Sequence, residues 1–126
     1  ITEVARKGKA VYGYKKVIEA IKYNRAEKVL VSEGLNLHYF LFKCEKDSLE
    51  IETVVPKEEV HKIRTENRTC PQDGNNMIII EDEELADYII RIANEKNIEV
   101  EVISVTTQEG QQFLNGFYGV GAFLRY

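Results

Sequence analysis

The stretch TQEGQQFLNGFYGVGAFLRY, Thr107 to Tyr126, decides between two folds. Read as a glycine-rich phosphate loop, it would place a dinucleotide between a strand and a helix. Read as a helix followed by a strand, it closes a mixed sheet. The fingerprint for the first reading is G-x-G-x-x-G ahead of a helix. Here Gly119-Val120-Gly121 runs on through Ala122 and Phe123 to Leu124, where the third glycine belongs, so the loop reading fails. Thr106 with Glu109 three residues on makes a capping box. The segment TQEGQQFLN therefore reads as a short helix, Gly116 as its left-handed C′ residue, and Ala122 to Tyr126 as a final strand.

Working outward, Tyr14, Val17, Ile18 and Ile21 recur at three- and four-residue spacing with Lys15, Lys16, Glu19 and Lys22 opposite. That spacing predicts an amphipathic helix ending near Asn24, and KVLVS at 28–32 reads as the buried strand it feeds. The middle changes character. LHYFLFKC at 37–44 and LEIETVV at 49–55, joined by polar EKDS, read as a hairpin that Pro56 ends. KEEVHKIR at 57–64 supplies one or two helical turns, and TENRTCPQDGNN at 65–76 reads as loop. The α/β alternation resumes with MIII at 77–80 as a short strand. A helix follows with Leu85, Tyr88, Ile89, Ile92 and Ala93 on one face, Glu81 to Glu84 loading its first turn, and Asn94 and Asn97 marking its end. IEVEVISV at 98–105 then reads as a strand covered on one face as far as Val102 and on both beyond. The expectation is an α/β fold over 1–126, a mixed sheet flanked by helices, with a small β-rich subdomain inserted at about 33–77.

The chain's 126 residues are 44% hydrophobic and 30% charged with two prolines, which fits one packed core and excludes a disordered or fibrous class. A net charge of -4 argues against a broad footprint for duplex nucleic acid. The basic residues gather early, at Arg6, Lys7, Lys9, Lys15, Lys16, Lys22, Arg25 and Lys28, and read as a solvated face. Cys44 and Cys70, with no leader-like segment ahead of them, read as reduced cytoplasmic thiols. No apolar run approaches the ~20 residues that a membrane-spanning helix needs.

The closing stretch also resembles the final block of the archaeal and eukaryotic class 1 peptide chain release factors, approximately S/T-Q-E-G-x-Q-F-x-x-G-F-G-G-I-G-x-x-L-R-Y. Thr107, Gln108, Glu109, Gly110, Gln112, Phe113, Gly116, Phe117, Gly119, Gly121, Leu124, Arg125 and Tyr126 match it. Tyr118 stands where that family usually has glycine, and Val120 is a mild change. AVYGYKKVIEAIKYNRAEKVLVSEGL at 10–35 is similar to the family's Tyr-Gly, helix, strand and Ser-Glu segment. The likeness covers the third, C-terminal domain, and points to an archaeal member. It implies a cytoplasmic, L30e-like α/β domain that docks the translational GTPase delivering the factor: elongation factor 1 alpha in archaea, the class 2 release factor in eukaryotes. It also implies that the domain faces the ABC-type ATPase that recycles the ribosome. Family contacts carry over to Tyr14, Lys15, Ile18 and Glu19. Stop-codon reading and the Gly-Gly-Gln loop belong to other domains of such factors, and no Gly-Gly-Gln occurs here, so no hydrolase activity is expected of this chain alone. The paralogous rescue factor Pelota shares the domain, but the Gln-Glu-Gly…Gln-Phe…Gly-Phe run favours the termination factor.

Related archaeal factors carry C-x-x-C twice in the insertion, a tetrahedral zinc pattern. Here the equivalent steps are Cys44-Glu45-Lys46-Asp47 and Cys70-Pro71-Gln72-Asp73, with Asp47 and Asp73 in the second positions and His38 or His61 as spare donors. Structural zinc sites use cysteine and histidine, so no metal cofactor is expected, and the hairpin's apolar face is expected to hold the subdomain through Tyr39, Leu41, Leu49 and Ile51. An enzyme reading would need Cys44 or Cys70 paired with His38 or His61, and no motif pairs them. An RNA-binding reading would rest on the kink-turn RNA that L30e-like folds grip elsewhere, with Lys7, Lys9, Lys15, Lys16 and Arg25 on phosphates. The acidic balance and the lack of an aromatic platform favour docking.

Overall fold

In the computed structural model of the chain, which describes residues 9–72 and 74–125, two compact units form. One comprises 1–35 with 86–126, the other 36–85. The first unit carries the α/β pattern. Its strands are β1 (Ala10–Tyr12) and β2 (Ala26–Ser32), and its first helix is α1 (Tyr14–Lys22). Val17, Ile18, Ala20 and Ile21 of α1 are buried, as the three- and four-residue spacing requires. Lys22 in the last turn suits the negative end of the helix dipole, and Asn24 at φ 58 turns the chain into β2.

Val29, Leu30, Val31 and Ser32 of β2 are all buried. An unbroken apolar run is what a strand covered on both faces needs, and β2 is central. It pairs parallel with β7 (Glu99–Ile103) and antiparallel with β8 (Val120–Leu124), giving the order β1-β8-β2-β7. Leu30 packs with Phe123 against Phe113 of the helix α4 (Gln108–Gly116). Its neighbours Val29 and Val31 point to the opposite face, because side chains alternate along a strand.

Strand β7 corrects one expectation. It ends at Ile103, and Val102 is 54% exposed, so the strand is not covered on both faces toward its end. It lies at the sheet edge, where nothing among the described residues pairs with its outer side. Lys28 reaches across from β2 to Glu101 at 2.8 Å and Glu99 at 3.4 Å, and their carboxylates hold its ammonium above the usual lysine value, Glu101 most of all.

The second unit is a curled antiparallel sheet. Strand β3 (Leu37–Cys44) pairs with β4 (Glu50–Pro56) from Leu37↔Pro56 to Lys43↔Glu50, the hairpin the sequence predicts. After Pro56 come one 3-10 turn (Lys57–Glu59) and the helix α2 (Val60–Thr65). Val60 and Ile63 of α2 pack on Phe40 and Phe42, flanked by Val55, Met77 and Ile79. Phe40 and Phe42 form one packed face, with Ile51 directly opposite Phe42. Tyr39 and Leu41 alternate onto the other side of β3, where Tyr39 is itself buried.

Two assignments change here. The loop at 65–76 contains a two-residue strand, β5 (Arg68–Thr69), that pairs with β6. The run MIII belongs to this antiparallel sheet and not to the α/β layer: β6 (Asn76–Glu84) extends through the four acidic residues and pairs with β3, giving the order β4-β3-β6-β5. Glu81 to Glu84 are thus strand residues. The helix α3 begins only at Leu85, running Leu85–Glu95 with Asp87 as the acid of its first turn. The misreading has a physical cause, since residues 76–84 alternate exposed and half-buried along their length, a period of two that composition hides behind the acidic run.

Candidate functional site

The side chains assigned to docking lie on α1. Lys15, Lys16, Glu19 and Lys22 are exposed and Tyr14 is half-buried. Ile18 is 8% exposed and belongs to the core, because position 18 lies beside Val17 and one turn before Ile21 on the inward stripe. Its burial withdraws it from the surface set. The usable face is therefore charged, with three lysines around Glu19 and the Tyr14 ring at its margin. Of the early basic residues, Arg6 and Lys7 lie outside the described residues.

The closing motif divides into residues that build and residues that face out. The cap of α4 is Thr107, one residue later than the capping box placed it: its hydroxyl accepts from the Gly110 backbone N–H at 2.9 Å. A Cβ at Gly110 would stand 1.7 Å from the Ser104 carbonyl oxygen, so only glycine lets the loop before α4 lie against its first turn. Glu33 anchors that loop, accepting from the Val105 backbone N–H at 3.1 Å and the Ser104 hydroxyl at 3.3 Å. Phe113 is the buried anchor of the helix.

The left-handed turn after α4 falls at Tyr118 (φ 63) and Gly119 (φ 72), two residues beyond Gly116, which ends the helix instead. The Gly119 carbonyl accepts from the Ser32 backbone N–H at 2.8 Å, stitching the turn to β2. Arg125 donates from Nε to the Ala26 carbonyl at 3.3 Å and from its backbone N–H to the Arg25 carbonyl at 2.8 Å. Tyr126 lies outside the described residues. Gln108, Gln111, Gln112 and Asn115 line an open, amide-rich cleft with Gly116 and Phe117. Glycine spacing drew attention to the turn. The four amides, at i, i+3, i+4 and i+7, were the signal for this helix face.

In the second unit, Cys44, Asp47 and Cys70 bring their donor atoms within 4.8 Å of one another. Asp73, the fourth position of the degenerate pattern, lies outside the described residues. The Cys70 thiol donates to Asp47 Oδ2 at 3.4 Å, and burial pushes the Cys44 thiol up to about 11. A closed structural zinc site asks for four cysteine or histidine donors with deprotonated thiols. Among the described residues the cluster holds three donors, one of them a carboxylate already serving a thiol, which do not make such a site, and neither His38 nor His61 is part of it. His38 is engaged elsewhere. Buried on β3, it hydrogen-bonds through Nε2 to Asp82 Oδ1, and Arg64 on α2 grips the same carboxylate at 2.7 and 2.9 Å. The Arg64 guanidinium, with His38, holds the Asp82 carboxyl down to about 2. Sequence reasoning missed this triad because its members lie far apart in the chain; the strand alternation that puts Phe40 opposite Asp82 was the available signal.

A mixed sheet with helices, an antiparallel insertion and the Thr107-capped closing turn define a domain class, and comparison with known proteins gives it a family. The chain belongs to the family described as eRF1 domain 3, which it matches over residues 1–126. This is the C-terminal domain of peptide chain release factor subunit 1, a translation termination factor. The chain is 35% identical over 119 residues to the peptide chain release factor subunit 1 of Thermococcus onnurineus and 31% identical over 121 residues to that of Methanocaldococcus jannaschii. In both cases the match takes in 94% of this chain and 29% of the relative, so the chain spans under a third of their length. Among solved structures, the C-terminal domain of the Methanosarcina mazei peptide chain release factor superposes with a TM-score of 0.81 at 26% identity, covering 98% of this chain and 74% of that one. Archaeoglobus fulgidus Pelota, at a TM-score of 0.51 and 18% identity over 99% of this chain and 26% of that one, shares the fold alone. No helix among the described residues is long and apolar enough to cross a membrane.

Proposed function

We propose that this chain is the docking module of a cytoplasmic archaeal termination factor. It binds the translational GTPase that delivers the factor, elongation factor 1 alpha, and on the ribosome it faces the ABC-type ATPase that follows. Stop-codon reading and peptidyl-tRNA hydrolysis fall to other domains of the factor. The observation that carries the reading is the full-length match to a single C-terminal domain, and the exposed charged face of α1 supplies a surface for it. Lys15 and Glu19 stand clear of the core, so they are free to set partner choice and encounter rate, as rim charges do.

Titration calorimetry of the chain against the GTP-loaded GTPase at two salt concentrations tests the reading. Lys15→Ala and Glu19→Ala are each expected to weaken binding about fivefold, roughly 1 kcal/mol, with unchanged unfolding midpoints. Saturable binding indifferent to both variants would move the docking surface off α1. No binding, together with salt-sensitive affinity for ribosomal RNA, would replace docking by the RNA-binding reading.

A further inference from the structure

Two arginines of the 36–85 unit meet opposite fates. Arg64 is held by Asp82 through two hydrogen bonds. Arg68, on β5, lies with its guanidinium carbon 4.6 Å above the Phe42 ring centroid, and its Nε is covered yet has no hydrogen-bond partner among the described residues. Folded chains leave few buried donors unmet, and an unmet donor in a charged group costs on the order of 1–3 kcal/mol or more. A carboxylate or phosphate presented to that guanidinium relieves the cost.

Arg68 borders a cleft of about 410 Å³. Phe42, Ile51, Pro71 and Met77 give it apolar walls, and Asn67 and Thr69 add polar groups beside the arginine. We propose that this cleft binds an extended peptide segment bearing a carboxylate next to an apolar side chain. The carboxylate turns the guanidinium outward and pairs with Nε and a terminal nitrogen together, the side-on geometry that arginine offers and lysine does not. The apolar side chain rests against Met77 and Ile51. Strand β5 is the last in the order β4-β3-β6-β5, and among the described residues no strand pairs with its outer backbone edge, which is where an added strand would pair, a recurrent mode of peptide capture.

The observations favour a peptide over a nucleic acid. A phosphate backbone is held by several cations at once, whereas among the described residues the cleft's lining holds one, Arg68. Glu50 and Glu66, the chain neighbours of Ile51 and Asn67, are exposed and repel a polyanion. The site lies wholly within 36–85 and does not rest on the docking assigned to α1.

Nitrogen-15 NMR of the whole chain tests the proposal through the Arg68 Nε–Hε signal. The probes are an N-acetylated Leu-Glu-Leu amide, its Leu-Gln-Leu counterpart and a short oligouridylate. The glutamate peptide should shift that signal and the 67–70 amides saturably. The glutamine peptide should bind about tenfold more weakly, as should the glutamate peptide to Arg68→Lys, which keeps the charge but loses the fork. Equal binding of the two peptides would reduce the cleft to apolar adhesion and overturn the proposal. So would no shift at millimolar peptide, or displacement of the glutamate peptide by oligouridylate. If Arg68→Lys fails to fold, the peptide pair on the unaltered chain decides alone.

Discussion

Where the α/β unit covers its central strands β2 and β8 with side chains on both faces, the antiparallel unit lets polar groups into the body of its sheet. In the first, the ties from Lys28 to Glu99 and Glu101, and from Lys96 to the Lys22 carbonyl at the end of α1, sit at the rim. In the second, His38 is buried against Asp82. The fully buried Tyr39 donates its hydroxyl to Glu52 at 2.7 Å, and Cys70 leans on Asp47. The difference follows from size. A segment as short as 36–85 buries a smaller fraction of its surface than a full domain does, and hydrogen bonds worth about 0.5–3 kcal/mol each make up part of the deficit. The first unit buries a polar side chain too, Ser32, which accepts from the Gly34 backbone N–H, but the second adds buried contacts to charged groups.

That contrast can be broken at the core first. Phe113→Ala in the α/β unit and Phe40→Ala in the antiparallel unit should each cost about 3–5 kcal/mol in urea unfolding; a much smaller loss for Phe40→Ala would mean that polar pins carry the second unit almost alone. Gly110→Ala should cost about 3 kcal/mol, since the new Cβ meets a carbonyl 1.7 Å away on backbone that must shift. A neutral result would show the loop before α4 to be yielding. Asp82→Asn should cost about 1–3 kcal/mol at neutral pH by loosening both Arg64 and His38.

The pH dependence of Asp82 has a definite sign. Its carboxyl, held down to about 2, contributes stability that is complete above the unfolded value of about 4 and lost as pH falls through about 2. The gap between the unaltered chain and Asp82→Asn should therefore close across that interval, and a gap constant with pH would deny the ion pair its role. The smallest effect is a gain. Tyr118 is 72% exposed at φ 63, so Tyr118→Gly should raise stability by about 1 kcal/mol or less, and no gain would show the ring earning its strained place through its neighbours.

The α/β unit was legible because its signals are periodic and local. The Val17, Ile18, Ile21 stripe and the Val29 to Val31 run each announce their element within a few residues. The closing motif was legible through its glycines and cap, although the hydroxyl that caps is Thr107 and the left-handed residues are Tyr118 and Gly119. The antiparallel unit yielded its hairpin and the helical turns at 57–64, but not the pairing of its other strands. Strand β6 hid behind Glu81 to Glu84, whose acidity suggests a helix start when the arginine and histidine that receive Asp82 are out of view. Arg68 was unremarkable in sequence, since an unmet donor is a property of packing. On α1, the periodicity that predicted the helix also argued that Ile18 faces inward, and its burial follows that stripe.

The pairing of β2 with β8 sets an order of events at synthesis. Val29 finds Ala122 only after the residues between them have been made, a delay on the order of 5–20 s at roughly 5–20 residues per second. Strands β3, β4 and β6, made in between, can pair with one another before β8 exists. A nascent chain halted ahead of Val120 would hold its antiparallel unit complete while the Val29-Leu30-Val31 run still lacked its antiparallel neighbour, a sticky segment kept waiting for the last strand to arrive.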